Sequence, residues 1–123
     1  MPRALLPESL LHPAIRDRVA TYQSDLLTEV QAAIAAAPLV IVGMRQNPFP
    51  KRARRLLDAA GIGYRYLEYG SYLSEWRRRL ALKMWSGWST FPMVFVRGVL
   101  IGGADELKRL HESGELAKLL AAR

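Results

Sequence analysis

Leu39-Val40-Ile41-Val42-Gly43-Met44-Arg45-Gln46-Asn47-Pro48-Phe49-Pro50-Lys51-Arg52-Ala53-Arg54-Arg55-Leu56-Leu57 is the run on which the fold turns. Its first four residues form an uninterrupted apolar segment, the pattern of a strand buried on both faces. Asn47-Pro48 then reads as a helix opening, with asparagine as N-cap and proline at the first helical position, where its missing N–H has no partner to lose. The helix beyond directs Phe49, Ala53, Leu56, Leu57 and Ala60 to the core and stops at Gly61. Lys51, Arg52, Arg54 and Arg55 fall on its outward side as a solvated basic face.

Working outward toward the N-terminus, Pro13 follows His12 as a first-turn proline, and Ile15, Val19 and Tyr22 recur at helical spacing. Ser24 and Asp25 start a second helix with Leu26, Val30, Ala33 and Ala37 along one face, and Pro38 ends it. Toward the C-terminus, Tyr64 to Tyr69 alternates like a strand. A helix from about Ser74 to Lys83 follows, with Trp76, Leu80 and Met84 expected inward. Met93 to Val96 and Val99 to Ile101 are two strands joined by Arg97-Gly98 in a tight hairpin. A last helical region starts at Asp105, read as its N-cap, and is broken at Ser113-Gly114 before Glu115 to Ala122. The expected architecture is α/β: a four-stranded mixed sheet flanked by helices. The first strand–helix–strand unit should form a parallel pair with a right-handed crossover. No repeat, low-complexity tract or linker interrupts it.

The 123 residues suffice for one core, and 50% hydrophobic against 24% charged is the balance of a globular protein. The cysteine count is zero. Disulfides, thiolate nucleophiles, cysteine-ligated zinc and a self-ligated iron–sulfur cluster are thereby excluded together. The longest apolar stretch, Ala32 to Met44, is divided by Pro38 and too short to span a bilayer, and no signal-peptide pattern precedes it. A cytoplasmic location without membrane association follows by default. The net charge of +7 is concentrated between Arg45 and Lys83, a patch able to attract an anion. Arg77-Arg78-Arg79 cannot all face one way on a helix, so nucleic acid is the less favoured partner. His12 and His111 have no carboxylate at metal-ligand spacing and read as surface or capping residues. No Ser–His–Asp arrangement, phosphate loop or paired-carboxylate motif stands out.

Three segments in order resemble the glutaredoxins, a branch of the thioredoxin-fold superfamily, over roughly residues 24–120. Asn47-Pro48-Phe49-Pro50 occupies the place of the Cys-Pro-Tyr-Cys or Cys-Gly-Phe-Ser motif that opens a basic helix in that family. Ser86-Gly87-Trp88-Ser89-Thr90-Phe91-Pro92 is similar to the Trp-Pro-Thr-Phe-Pro stretch of the monothiol branch, whose last proline is cis and faces the active site. Gly98 to Leu107, with its Gly102-Gly103 pair, resembles the hairpin leading into the final helix, and His111 to Leu116 continues the likeness. The resemblance implies a thioredoxin-like (glutaredoxin) domain over residues 24–123 and an N-terminal helical extension over residues 1–23.

The departures bear on chemistry. The family's nucleophilic cysteine position is Asn47, the resolving position is Pro50, and a cysteine often found after the glycine pair is Ala104. A helix start lowers a thiol's pKa through its unpaired N–H groups and partial positive charge. Asparagine satisfies those N–H groups but is a poor nucleophile, and Pro50 offers no N–H. The degenerate motif at Asn47, Pro48, Phe49 and Pro50 is therefore expected to have no catalytic role. What the resemblance carries over is a groove for glutathione. Its cysteinyl backbone would pair with Phe91 in the Thr90-Phe91-Pro92 turn. Its γ-glutamyl carboxylate would sit at Gly103-Ala104-Asp105, and its glycine carboxylate would meet Arg79 and Lys83. The family's lysine before the motif has Met44 at its ungapped position, with Arg45 next door. Phe49 completes the expected ligand set.

The expected function is a cysteine-less recognition module for glutathione or a glutathione-like peptide end, with no resident cofactor. Two alternatives stay open at this level. One is a protein–protein interaction module with a vestigial groove, its novelty in Ile15, Val19 and Tyr22. The other is a weak glutathione-dependent redox role that borrows a partner's thiol.

Overall fold

The computed structural model describes residues 2–122; Met1 and Arg123, the outer ends of the two expected segments, lie outside the described residues. Strand β1 (Leu39–Gly43) is buried along its whole length. It is an inner strand of a sheet with order β2-β1-β3-β4. β2 (Arg65–Glu68) pairs parallel with it, and α3 (Pro48–Ala60) supplies the crossover that a parallel pair requires. β3 (Met93–Val96) runs antiparallel to β1, and β4 (Val99–Gly102) antiparallel to β3. Arg97 (φ 50°) and Gly98 (φ 82°) turn that hairpin. Two successive positive φ values match the twist of the flanking strands, and glycine adopts the second without strain.

Side-chain alternation along the inner strands divides the core into two layers. Val40, Val42, Met93 and Phe95 face α2 (Ser24–Ala36) and α4 (Trp76–Ser86), where they meet Leu26, Val30, Ala81 and Leu82. Leu39, Ile41, Val94 and Val96 face α3, α5 (Ala104–Glu112) and α6 (Glu115–Ala121), where they meet Ala53, Leu57, Leu107 and Leu116. Before these come a short 3-10 turn (Glu8–Leu10) and α1 (Pro13–Thr21). His12 caps α1, its Nδ1 accepting from the Ala14 N–H at 3.0 Å. The expected α/β class and mixed four-stranded sheet are what the structure has.

Local expectations are corrected at three places. On α4 the inward residues are Arg79, Ala81 and Leu82, whereas Trp76, Leu80 and Met84 are 55%, 39% and 58% exposed. Apolar residues occupy more than one side of this helix, so their spacing alone does not decide which side meets the sheet. On α3, Phe49 and Ala60 are exposed, while Ala53 and Leu57 are buried as the period requires. Arg54 is not simply solvated: its guanidinium lies 4.1 Å from the centre of the Tyr66 ring. At the start of α5 the N-cap is Gly103 rather than Asp105.

Candidate ligand groove

β1 delivers the chain to the start of α3 through Gly43. A Cβ there would lie 3.0 Å from Pro50 Cβ and 3.0 Å from the Tyr66 ring. Only glycine lets the helix begin this close to the strand end. Pro50 is buried in that contact. Asn47 is 7% exposed, and its Oδ1 accepts from the Phe49 N–H at 2.9 Å. The side chain thus satisfies one of the N–H groups that a first helical turn leaves without a partner. It is a cap.

The second wall is the turn between α4 and β3. Phe91 and Pro92 are buried, the peptide joining them is cis, and Ser89 and Thr90 are exposed. The third wall is the start of α5. Glu106 Oε1 accepts from the Gly103 N–H at 2.8 Å, Ala104 is buried, and Asp105 faces outward to Arg52 of α3 at 3.4 Å. Together with Met44, Tyr72 and Lys83, these walls enclose an open groove of about 530 Å³. The Lys83 ammonium stands 5.8 Å from the Phe91 ring centre, close enough for a cation–π attraction that holds the charge over the turn.

Of the residues singled out in the sequence, the structure brings Asn47, Phe49, Lys83, Thr90, Phe91, Pro92, Gly103, Ala104 and Asp105 to this groove. Pro48 and Pro50 belong to the helix start but do not face it. Arg45 and Arg79 are placed elsewhere. Arg45 turns to the end of β2, 3.9 Å from Glu68 Oε2. Arg79 is 7% exposed, and its Nη1 donates to the Tyr69 carbonyl at 3.1 Å and to the Ser74 carbonyl. Residues 69–75 lie between β2 and α4 in no strand or helix, and the guanidinium is consumed by the Tyr69 and Ser74 carbonyls there.

Tyr72, Trp88 and Glu106 also line the groove and were not foreseen as site residues. Glu106 was legible: an acid three residues after a helix cap reaches back to the cap N–H. Tyr72 sits in an irregular turn and carries no periodic signal. Trp88 packs against the core beneath the turn. Its indole N–H is buried without an acceptor among the described residues, 3.7 Å from where a Cβ on Gly103 would stand. Two tyrosines flank the site without entering it. Burial, then the bond to Glu68, pushes the Tyr66 hydroxyl up to about 12. Burial, then Glu29, does the same at Tyr69, also to about 12. No cluster of His, Asp and Glu able to hold a metal ion occurs among the described residues, and none of their helices is long and apolar enough to cross a membrane.

A mixed sheet of this order, with a capped helix opening at one side and a proline turn facing it, defines a protein of the thioredoxin-like fold. The glutaredoxin family model matches residues 39–101. A glutaredoxin-like protein of Dictyostelium discoideum is 43% identical over 99 residues, covering 80% of each chain. Glutaredoxin-C4, chloroplastic, of rice is 32% identical over 94 residues, which are 76% of this chain and 71% of that one. Among solved structures, a crystal structure of a buckwheat glutaredoxin–glutathione complex superposes with a TM-score of 0.72 at 28% identity, covering 81% of this chain and 91% of that one. The chain belongs to the glutaredoxin family, and it does so without a cysteine.

Proposed function

We propose that this protein is a receptor for glutathione, or for a peptide end of the same chemistry, and has no thiol–disulfide exchange activity of its own. The observation that carries the reading is the open groove. Phe49 lies at its rim, 47% exposed, Pro50 is folded beneath the helix start, and no described residue before Met44 lines it. A helix start that kept its cap but lost its thiol, beside an intact proline turn, is a binding surface with the reacting atom removed. The buckwheat relative in complex with glutathione supports the choice of ligand.

The chemistry of the walls suits a tripeptide with two carboxylates. The free N–H groups at the start of α5 would receive one carboxylate. Lys83 would receive the other alone, since Arg79 is engaged with Tyr69 and Ser74. The backbone at Phe91 would pair with the peptide between them. One cation in place of two leaves fewer charge-assisted contacts and argues for weak, reversible binding.

The test is a titration of isotope-labelled protein with reduced glutathione, following backbone amides by NMR. Saturable shifts at Phe49, Phe91 and Ala104, weakened by Lys83→Ala, are expected. Unmoved amides at millimolar ligand would show that the groove is a relic.

A further inference from the structure

A second cleft, of about 480 Å³, lies on another part of the surface, between α1 and α4. Ile15 and Val19 of α1 line one side, Leu80 and Met84 of α4 the other, and Tyr22 sits just beyond the end of α1. Each helix contributes a pair four residues apart, which places the two side chains on one face. Ile15, Val19, Leu80 and Met84 remain 40%, 49%, 39% and 58% exposed, and Trp76, one turn before Leu80, is 55% exposed. None of the nine residues of α1 is buried. A helix that short is marginal in water, and here its apolar side faces an unfilled cleft. The fold does not account for this surface.

We infer that the α1–α4 cleft is a docking groove for an acidic amphipathic helix of another protein. Length and pattern set the shape of the occupant. From Trp76 to Met84 the stripe rises about 12 Å at roughly 1.5 Å per residue, so two to three turns with apolar side chains at three- and four-residue spacing would fill it. Charge sets its sign. Among the described residues Arg18 is the one charged residue lining the cleft, and one turn before Leu80 the Arg77 guanidinium lies 4.9 Å from the Trp76 ring. α1 and α4 also carry Arg16 and Arg78 against Asp17 alone, while Arg79 is engaged with the Tyr69 and Ser74 carbonyls and Lys83 faces the first groove. A second copy of the chain would bring these cations against themselves, whereas an acidic helix answers them. A bilayer would present the anionic charge but not side chains that enter a cleft between two helices.

The experiment uses the full chain with methyl groups labelled and two synthetic helical peptides of about four turns. Both carry leucines at three- and four-residue spacing; one is flanked by glutamates and the other by lysines. The glutamate peptide should shift the methyl signals of Ile15, Val19, Leu80 and Met84 saturably and bind at least about tenfold tighter than the lysine peptide. Its affinity should fall as salt is raised. Leu80→Asp should abolish binding while lowering the melting temperature by no more than about 4–8 °C and leaving the glutathione shifts unchanged, and Val19→Asp should do the same from the facing helix. Equal binding of the two peptides, or binding of neither, would overturn the inference. So would self-association in sedimentation velocity that Leu80→Asp removes, or tighter binding to phosphatidylserine vesicles than to the glutamate peptide.

Discussion

The groove and the α1–α4 cleft are close in size, about 530 and 480 Å³, yet they are built from different materials. The groove is a product of backbone: two helix starts and a proline turn, held by Gly43, the Asn47 cap and the Glu106 bond to Gly103. The cleft is a product of side chains that stand on the outside of helices and are buried by nothing. A backbone-built site survives the loss of individual side chains, which is how the groove persists without its cysteine. A site built from side chains owes its identity to each of them. Substitutions should therefore damage the fold on one side of α4 and only recognition on the other.

The sharpest way to break this comparison is within α4 itself. Leu82→Ala, at a residue with no exposure, should destabilise the protein by about 2–5 kcal/mol. Leu80→Ala, two positions earlier and 39% exposed, should cost no more than about 1 kcal/mol. Urea denaturation midpoints decide it, and equal losses would mean that the cleft is part of the core. Next in size is Gly43→Ala, whose new methyl must displace Pro50 or Tyr66 from 3.0 Å. A loss of about 1–3 kcal/mol is expected, with amide shifts at Phe49 that accompany it. If stability falls while Phe49 stays still, the helix start is not coupled to the strand end.

The smallest effect is alkaline, and it probes the two layers separately. Tyr66 and Tyr69 lose their protons near 10 in an unfolded chain but at about 12 in the fold. Below about pH 10 both states keep the proton and the full stability is present. Between about 10 and 12 the unfolded state sheds its protons first, so stability falls as pH rises. Tyr66→Phe, behind the groove, and Tyr69→Phe, on the α2 side, should each flatten that decline in urea midpoints measured across the interval. A decline that neither change alters would place its cause elsewhere.

The inner architecture was legible in the sequence because it depends on patterns with one interpretation. A four-residue apolar run bounded by Pro38 and Gly43 has little to be except a central strand. Arg97-Gly98 between two β-rich segments has little to be except a hairpin turn. The groove followed from the same elements, since its walls are their ends. α4 was misread for a complementary reason: Trp76, Leu80 and Met84 form a convincing apolar stripe, but the stripe faces out. The true inward set includes Arg79, whose burial follows from two carbonyls in an irregular turn that no spacing rule locates. Tyr72 was invisible on the same ground.

The seat that Asn47 occupies also offers a clean instrument. A cysteine substituted there would be the sole thiol in the molecule, already enclosed by a helix opening and a proline turn. Its titration could be followed by ultraviolet absorbance or a single fluorescent adduct, with no second sulfur to subtract. Pro50, lacking an N–H, would withhold one donor that another residue at that position would present to the sulfur. The scaffold could then calibrate how much of a thiol's acidity arises from the architecture around it, and how much from a neighbouring residue this chain has given up.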